Sequence, residues 1–283
     1  MSFEIIPELK YTDTTWTTKE STRSAYLERK VDSDTLLITV GDSWTWGDSL
    51  GGIDVLTLSD DLNYRKTHVY GHYIQQHLQS DWINYGICGA CNSYIFHELS
   101  TKVLPYVTTK YSKIIVVGVL TETARSCSIE NISFSTVDEL LEKYEHIEFS
   151  LVKNILEKYD NVQFVIARNF TYSYHSNIVI FGKYHLKKTW VDVISDYIKT
   201  PYTPDLRILT NMVFSPLTQN LIKHKKYKST HKELFDLLGK SLEAILWLER
   251  SPLNYKKATK HPTELAHEIW ANYIIAELTR LHI

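Results

Sequence analysis

The chain has 283 residues, of which 43% are hydrophobic, and its 31 Lys and Arg nearly balance its 33 Asp and Glu. This length and composition suffice for one large hydrophobic core, so we expect a single domain over residues 1–283. The formal net charge of −2 gives no electrostatic reason to expect nucleic acid or an anionic membrane surface as a partner.

Residues 1–7 lack the basic and then apolar pattern of a secretory signal. No apolar run approaches the roughly 18 residues that cross a bilayer, so we expect a soluble protein without a membrane partner. Three cysteines, Cys88, Cys91 and Cys127, are too few for a disulfide scaffold. Cys88 and Cys91 form a Cys-x-x-Cys pattern, which permits redox chemistry but lacks the second ligand pair of a zinc site.

Apolar patterning along the chain predicts alternating strands and helices after a polar, extended lead-in over residues 1–33. Short runs rich in Val, Ile and Thr predict buried strands at 35–40, 82–85, 113–118 and 162–167. Apolar residues at helical spacing predict helices at 68–78, 91–104, 136–158, 231–249 and 263–281, with a loop at 48–66.

Strands that alternate with helices indicate parallel βαβ units. We therefore predict an α/β fold, a three-layer α/β/α sandwich with a flavodoxin-like parallel sheet. Residues 170–229 contain Tyr, His, Lys, Thr and Pro without a clear period, and we interpret them as an insertion or a lid.

The first predicted strand leads directly into Gly41-Asp42-Ser43, which places Ser43 just beyond the carboxyl end of the strand. Ligands of open α/β sheets bind at this end, so Ser43 is a candidate nucleophile. The alternative interpretation is a turn or helix-capping serine. A second Gly-Asp-Ser ends at Ser49, has no apolar run before it and is typical of a loop.

Three further stretches lie at comparable places. Residues 84–92 follow the second predicted strand, residues 116–122 follow the third, and residues 260–264 open the last predicted helix. Together with Gly41-Asp42-Ser43 they resemble, in order, the sequence blocks of the SGNH/GDSL hydrolase family over residues 35–280. The resemblance implies that Ser43 is the nucleophile and that its N–H is one oxyanion donor. It implies that the Gly89 N–H is a second donor and that His261 is the general base.

The chain departs from the family pattern at two positions. Leu120 stands where the family has an Asn whose side chain is the third oxyanion donor, and Asn92 or Thr121 are candidate substitutes. Ala258 stands where the family has the Asp that orients the His. The site is therefore expected to be a Ser-His dyad or an atypical triad, with Glu122 or Glu264 as the candidate acid.

The expected activity is hydrolysis of a carboxylic ester on a small molecule or a glycan, with O-acetyl groups on carbohydrate as one candidate substrate. No metal or other cofactor is implied. The alternative is a catalytically impaired module of the same fold with a binding or structural role; a third hypothesis is a thiol redox protein that uses Cys88 and Cys91. Because no secretory signal is visible, we expect a cytoplasmic protein; the similarity of the Gly-Asp-Ser-Trp-Thr-Trp-Gly block to ones in phage and marine bacterial genomes makes a virion-associated or host-glycan-modifying enzyme the alternative.

Overall fold

The computed structural model describes residues 2–12, 22–30, 33–47, 50, 59–121, 150–169, 186–198, 262 and 264–283. Within these residues six strands form one sheet, and their bounds are β1 Ser2–Thr12, β2 Thr22–Arg29, β3 Thr35–Gly41, β4 Asp81–Gly86, β5 Lys113–Leu120 and β6 Val162–Arg168.

The sheet has the order β1-β2-β4-β3-β5-β6. Strands β4, β3, β5 and β6 are parallel, and the β1–β2 hairpin joins them antiparallel through β4. The first parallel strand, β3, thus lies between the second and the third, which is the flavodoxin-like arrangement. The predicted fold class is confirmed, with an antiparallel hairpin added at one edge.

Helices cover both faces of the sheet. Their bounds are α1 Ser43–Trp46, α2 Ser59–His68, α3 Tyr70–Leu78, α4 Asn92–Glu98, α5 Leu104–Val107, α6 150–158, α7 Trp190–Ile198 and α8 Glu264–Arg280. A π-helical segment, Leu99–Val103, connects α4 to α5. No helix in these ranges is both long enough and apolar enough to cross a membrane.

Alternating residues of the central strand supply two separate cores. Leu37 of β3 packs on one face with residues of α3, α7 and α8. Leu36, Ile38 and Val40 pack on the other face with residues of α4, α5 and α6. A parallel sheet buried on both faces explains why β3 is a nearly continuous apolar run in the sequence.

Two sequence predictions are wrong in the described part of the chain. Within the predicted lead-in over residues 1–33, the described residues 2–12 and 22–29 instead form β1 and β2, which pair as a hairpin and bury Leu9 and Leu27 in the second core. Residues 59–66 are not a loop, because they belong to α2. The helix α2 is polar, and it is stabilised by a contact with another part of the chain. The Arg65 guanidinium lies over the Trp46 ring, 5.0 Å from its centroid.

The predicted insertion at 170–229 contains the helix α7, and the rest of it lies outside the described residues except for residues 186–189. The predicted helix at 231–249 and the first part of the one at 136–158 also lie outside them. The division of the chain into one domain with a lid therefore stays a prediction.

Candidate active site

The turn from β3 into α1 holds the candidate nucleophile. Asp42 is the N-cap of α1, and its carboxylate accepts a hydrogen bond from the Trp44 N–H at 3.0 Å. Gly47 ends the helix in the left-handed conformation, with φ of 78°. Ser43 is thus the first residue of a short helix that is capped at both ends, and 9% of its surface is exposed.

Gly41 and Gly86 let the backbone segments of this edge approach closely. A Cβ on Gly41 would lie 2.0 Å from Thr45 Oγ1 and 2.8 Å from the Val119 carbonyl oxygen. A Cβ on Gly86 would lie 2.3 Å from the Trp46 backbone nitrogen. Only glycine fits at either position, because real Cβ contacts essentially never fall below 3.0 Å.

Parallel register brings the loops after the four strands to the same edge of the sheet. Gly41 of β3 lies opposite Gly86 of β4 and Val119 of β5, while Leu120 of β5 lies opposite Arg168 of β6. The Ile87 N–H also donates to the Gly41 carbonyl at 2.9 Å. The blocks that carry Ser43, Gly89 and Thr121 therefore start next to one another, as the sequence predicts.

Gly89 lies in the loop between β4 and α4. Its φ of 75° is left-handed, a conformation that a side chain would strain. Within the same loop, the Ala90 N–H donates to the Ile87 carbonyl at 3.2 Å. Glycine is therefore favoured at position 89.

Asparagine side chains connect the loops of this edge. The Asn84 amide donates to the Thr45 carbonyl at 3.1 Å and accepts from the Gly86 N–H at 3.0 Å. The Asn92 amide pairs with the backbone of Thr121, donating to its carbonyl at 3.1 Å and accepting from its N–H at 2.9 Å. Asn92 therefore fixes the end of β5 against the start of α4.

Asn169 provides a third connection, which the sequence analysis missed. It follows β6, is fully buried, and its Nδ2 donates to both Asp42 carboxylate oxygens at 3.2 Å. The only signal in the sequence is a polar residue just after the fourth predicted strand, at the same edge as Ser43.

Helix α8 is connected to α1 through Trp190 of α7. Trp44, next to Ser43, meets the Trp190 ring edge-on at 5.4 Å, and Trp190 stacks on Trp270 of α8 at 5.4 Å. His267 of α8 accepts the Tyr70 N–H through Nδ1 at 3.3 Å.

Of the predicted site residues, Ser43, Gly89 and Asn92 lie in the described part of the chain, while His261 and Glu122 lie outside it. Glu264 is the first residue of α8, and its Oε1 accepts the Tyr64 hydroxyl at 2.9 Å. Leu120 is buried in the second core and has no polar side-chain group to donate. The second Gly-Asp-Ser, ending at Ser49, lies outside the described residues.

Electrostatics at this edge centre on Asp42, which is almost fully buried. Burial raises the pKa of the nearby Tyr70 phenol; its hydrogen bond to Thr45 opposes this, and the charge of Asp42 adds to it. Tyr70 is therefore neutral at ordinary pH, and its hydroxyl donates to Thr45 Oγ1 at 3.2 Å.

Both cysteines of the Cys-x-x-Cys pattern lie in the loop between β4 and α4. Cys88 is buried and outside a disulfide, whereas Cys91 is disulfide-bonded, so the two residues of the Cys-x-x-Cys pattern are not bonded to each other. Nor do three or more His, Cys, Asp or Glu side chains of the described ranges come together in a way that could hold a metal ion.

No protein-family model and no curated protein sequence matches the chain. Among solved structures it is similar to a family two carbohydrate esterase from Clostridium thermocellum in complex with cellohexaose, with 13% identity, 93% of this chain and 67% of that chain covered, and a TM-score of 0.44. It is similar to a carbohydrate esterase family 2 enzyme from Corynascus thermopiles (Myceliophthora fergusii), with 12% identity, coverage of 94% and 72%, and a TM-score of 0.44. A catalytic mutant of an acetylxylan esterase from Geobacillus stearothermophilus has 14% identity, coverage of 88% and 96%, and a TM-score of 0.37.

Proposed function

We propose that this protein is a serine ester hydrolase in which Ser43 is the nucleophile and His261 the general base. The observation that carries the proposal is the position of Ser43, which begins a helix directly after the central strand of a flavodoxin-like sheet. Sheets of this kind bind ligands beyond the carboxyl end of such a strand. The order of the motifs in the sequence is the second support.

In the proposed reaction His261 takes the proton of the Ser43 hydroxyl as the oxygen attacks the acyl carbonyl carbon. The backbone N–H groups of Ser43 and Gly89 stabilise the oxyanion. Collapse of the tetrahedral intermediate breaks the ester C–O bond, and His261 returns its proton to the leaving alcohol. Water, activated by the same His, then hydrolyses the acyl-serine and releases the carboxylic acid.

The remaining two roles are also proposals. Glu122 is the candidate acid beside His261, and the Ser-His dyad is the alternative without it. Asn92 is the candidate extra oxyanion donor, because Leu120 cannot take this role. Removing one oxyanion donor slows an enzyme of this type by roughly 10²–10³, so a site with two donors predicts a slow enzyme.

Carbohydrate carrying O-acetyl groups is the substrate class that we propose to test first. The chain contains 19 Tyr and 7 Trp, and aromatic rings are suited to contact with sugars. Simple acetyl, butyryl and longer-chain esters of a chromogenic phenol form the matched panel, which separates a requirement for the sugar from a requirement for the acyl group.

The second candidate function is a binding or structural module that has lost catalysis. Two observations favour it: Leu120 is buried where the family has its Asn, and Ala258 occupies the position of the Asp. Such a module would bind its ligand at the same edge of the sheet without hydrolysing it.

Labelling with a fluorophosphonate probe, followed by peptide mapping, separates the two candidates. We expect modification at Ser43, none in Ser43→Ala, and at least roughly a thousandfold slower labelling in His261→Ala. Ser49→Ala is the matched control and should label like the wild-type protein. Folded wild-type protein that takes up no label would refute the hydrolase and favour the module, and labelling at Ser49 would show that the wrong serine was chosen.

A further inference from the structure

Asn169 makes an unusual set of contacts at the end of β6. It is fully buried, its backbone N–H donates to the Leu120 carbonyl at 3.0 Å, and its Nδ2 donates to both oxygens of Asp42. Within the described part of the chain its Oδ1 is buried without a hydrogen-bond partner. The side chain thus leaves its acceptor unsatisfied while both of its hydrogen bonds go to one carboxylate, although burying an unsatisfied acceptor is unfavourable.

The orientation of this amide follows from its partner. The oxygens of Asp42 accept these hydrogen bonds, so the nitrogen of Asn169, rather than its oxygen, faces Asp42. A buried carboxylate is stable only if donors surround it, and Asn169 supplies one from a strand two positions across the sheet.

Asp42 transmits this contact to the candidate nucleophile. The carboxylate oxygen that caps α1 by accepting the Trp44 N–H is one of the two oxygens that Asn169 holds. Ser43 lies between Asp42 and Trp44 in the chain, so fixing the cap fixes the backbone of Ser43. The Ser43 N–H, the proposed oxyanion donor, belongs to the same turn.

We propose that Asn169 is a positioning residue for Ser43 and acts through the carboxylate of Asp42. The inference rests on the proposed function, because it assigns Asn169 a part in aiming a nucleophile. An apolar side chain at this position would leave Asp42 without these hydrogen bonds, so the amide, not burial alone, holds the carboxylate that caps α1.

The test exchanges the two partners. In Asn169→Asp two carboxylates face each other, and we expect the rate constant for fluorophosphonate labelling at Ser43 to fall by about tenfold or more. In the double variant with Asp42→Asn and Asn169→Asp, the amide and carboxylate change places, and asparagine is also a good N-cap. We expect this exchange to restore labelling to within about threefold of the wild-type rate.

Asn161→Ala is the matched control. Asn161 precedes β6 at the opposite end of the same strand, and its amide donates to the carbonyls of Thr108 and Tyr111 at 3.1 and 2.9 Å. Losing it removes two side-chain hydrogen bonds without touching the candidate site. We expect a lower melting temperature but a labelling rate within about twofold of wild type.

Each outcome decides the inference. Wild-type labelling rates in Asn169→Asp, or an exchange variant as slow as Asn169→Asp, would overturn the positioning role while leaving the hydrolase in place. Wild-type protein that takes up no label would instead reject the proposed function, and this inference with it. If Asn169→Asp does not fold, the labelling rate of Asn169→Ala is compared with that of Asn161→Ala. Equal rates in these two variants would overturn the positioning role of Asn169.

Discussion

The close approach of β4 to α1 predicts that Gly86→Ala damages both stability and reactivity. The added Cβ would lie 2.3, 2.6 and 2.8 Å from the Trp46 nitrogen, the Trp46 Cα and the Thr45 carbonyl carbon. All three are backbone atoms, so no side chain can turn aside. Reaching the 3.4 Å of ordinary contact requires α1 to move by about 1 Å, since 3.4 − 2.3 = 1.1.

Overpacking of this kind destabilises a protein by about 1–3 kcal/mol, which for a chain of this size lowers the melting temperature by roughly 2–10 °C. Because α1 carries Ser43, the same displacement should slow labelling there by up to about a hundredfold. Thermal unfolding and the fluorophosphonate rate measure the two effects on one preparation.

Gly118→Ala is the matched control, because Gly118 lies in β5 and a Cβ there would meet its nearest atoms at 3.7–3.8 Å. We expect this variant to be at least as stable as wild type, since alanine loses less backbone entropy than glycine by about 0.5–1 kcal/mol. If Gly86→Ala matched Gly118→Ala in both stability and labelling rate, the backbone contact between β4 and α1 would be ruled out.

Three further substitutions test separate parts of the site. Gly89→Ala should destabilise the protein by about 1–2 kcal/mol, because its φ is positive, and should slow labelling at Ser43; unchanged labelling would argue against Gly89 as an oxyanion donor. Asn84→Ala should lower the free energy of unfolding by about 1–3 kcal/mol in a denaturant titration, since it removes this donor from the buried Thr45 carbonyl. An unchanged unfolding midpoint would contradict the hydrogen bond between Asn84 and Thr45. Trp190→Ala should lower the free energy of unfolding by about 3–5 kcal/mol through the cavity it leaves between Trp44 and Trp270. A loss below about 1 kcal/mol would show that these rings are not well packed.

The parallel part of the sheet was predictable because each of its strands is a short apolar run buried on both faces. The hairpin β1–β2 was not, because its polar and charged residues lack the strong apolar signal of a central strand. Helix α2 was not predictable either, since its sequence, SDDLNYRKTH, carries no apolar stripe. Its position depends on partners elsewhere, including Trp46 and Glu264.

The site was predictable where local chemistry fixes the residue type. Gly41, Asp42 and Ser43 carry a signal in their order, and Gly89 carries one as a glycine in a short loop. The signal of Asn169 is limited to its place just after a predicted strand, because its partner Asp42 is 127 residues away and neither local sequence predicts the pair. Long-range hydrogen bonds between single polar residues depend on the tertiary fold, so the periodicity of the sequence does not predict them.

The contacts of α8 with α2 and α3 determine when this part of the fold can form during synthesis. The Tyr64 hydroxyl donates to Glu264 across 200 residues and the Tyr70 N–H donates to His267 across 197, so these contacts form only after α8 has been synthesised. The 221 residues from Ser43 to Glu264 take about 10–40 s to synthesise at the usual pace of translation. We therefore expect Ser43 to emerge from the ribosome long before α8 does, so that labelling at Ser43 begins only after α8 has been synthesised.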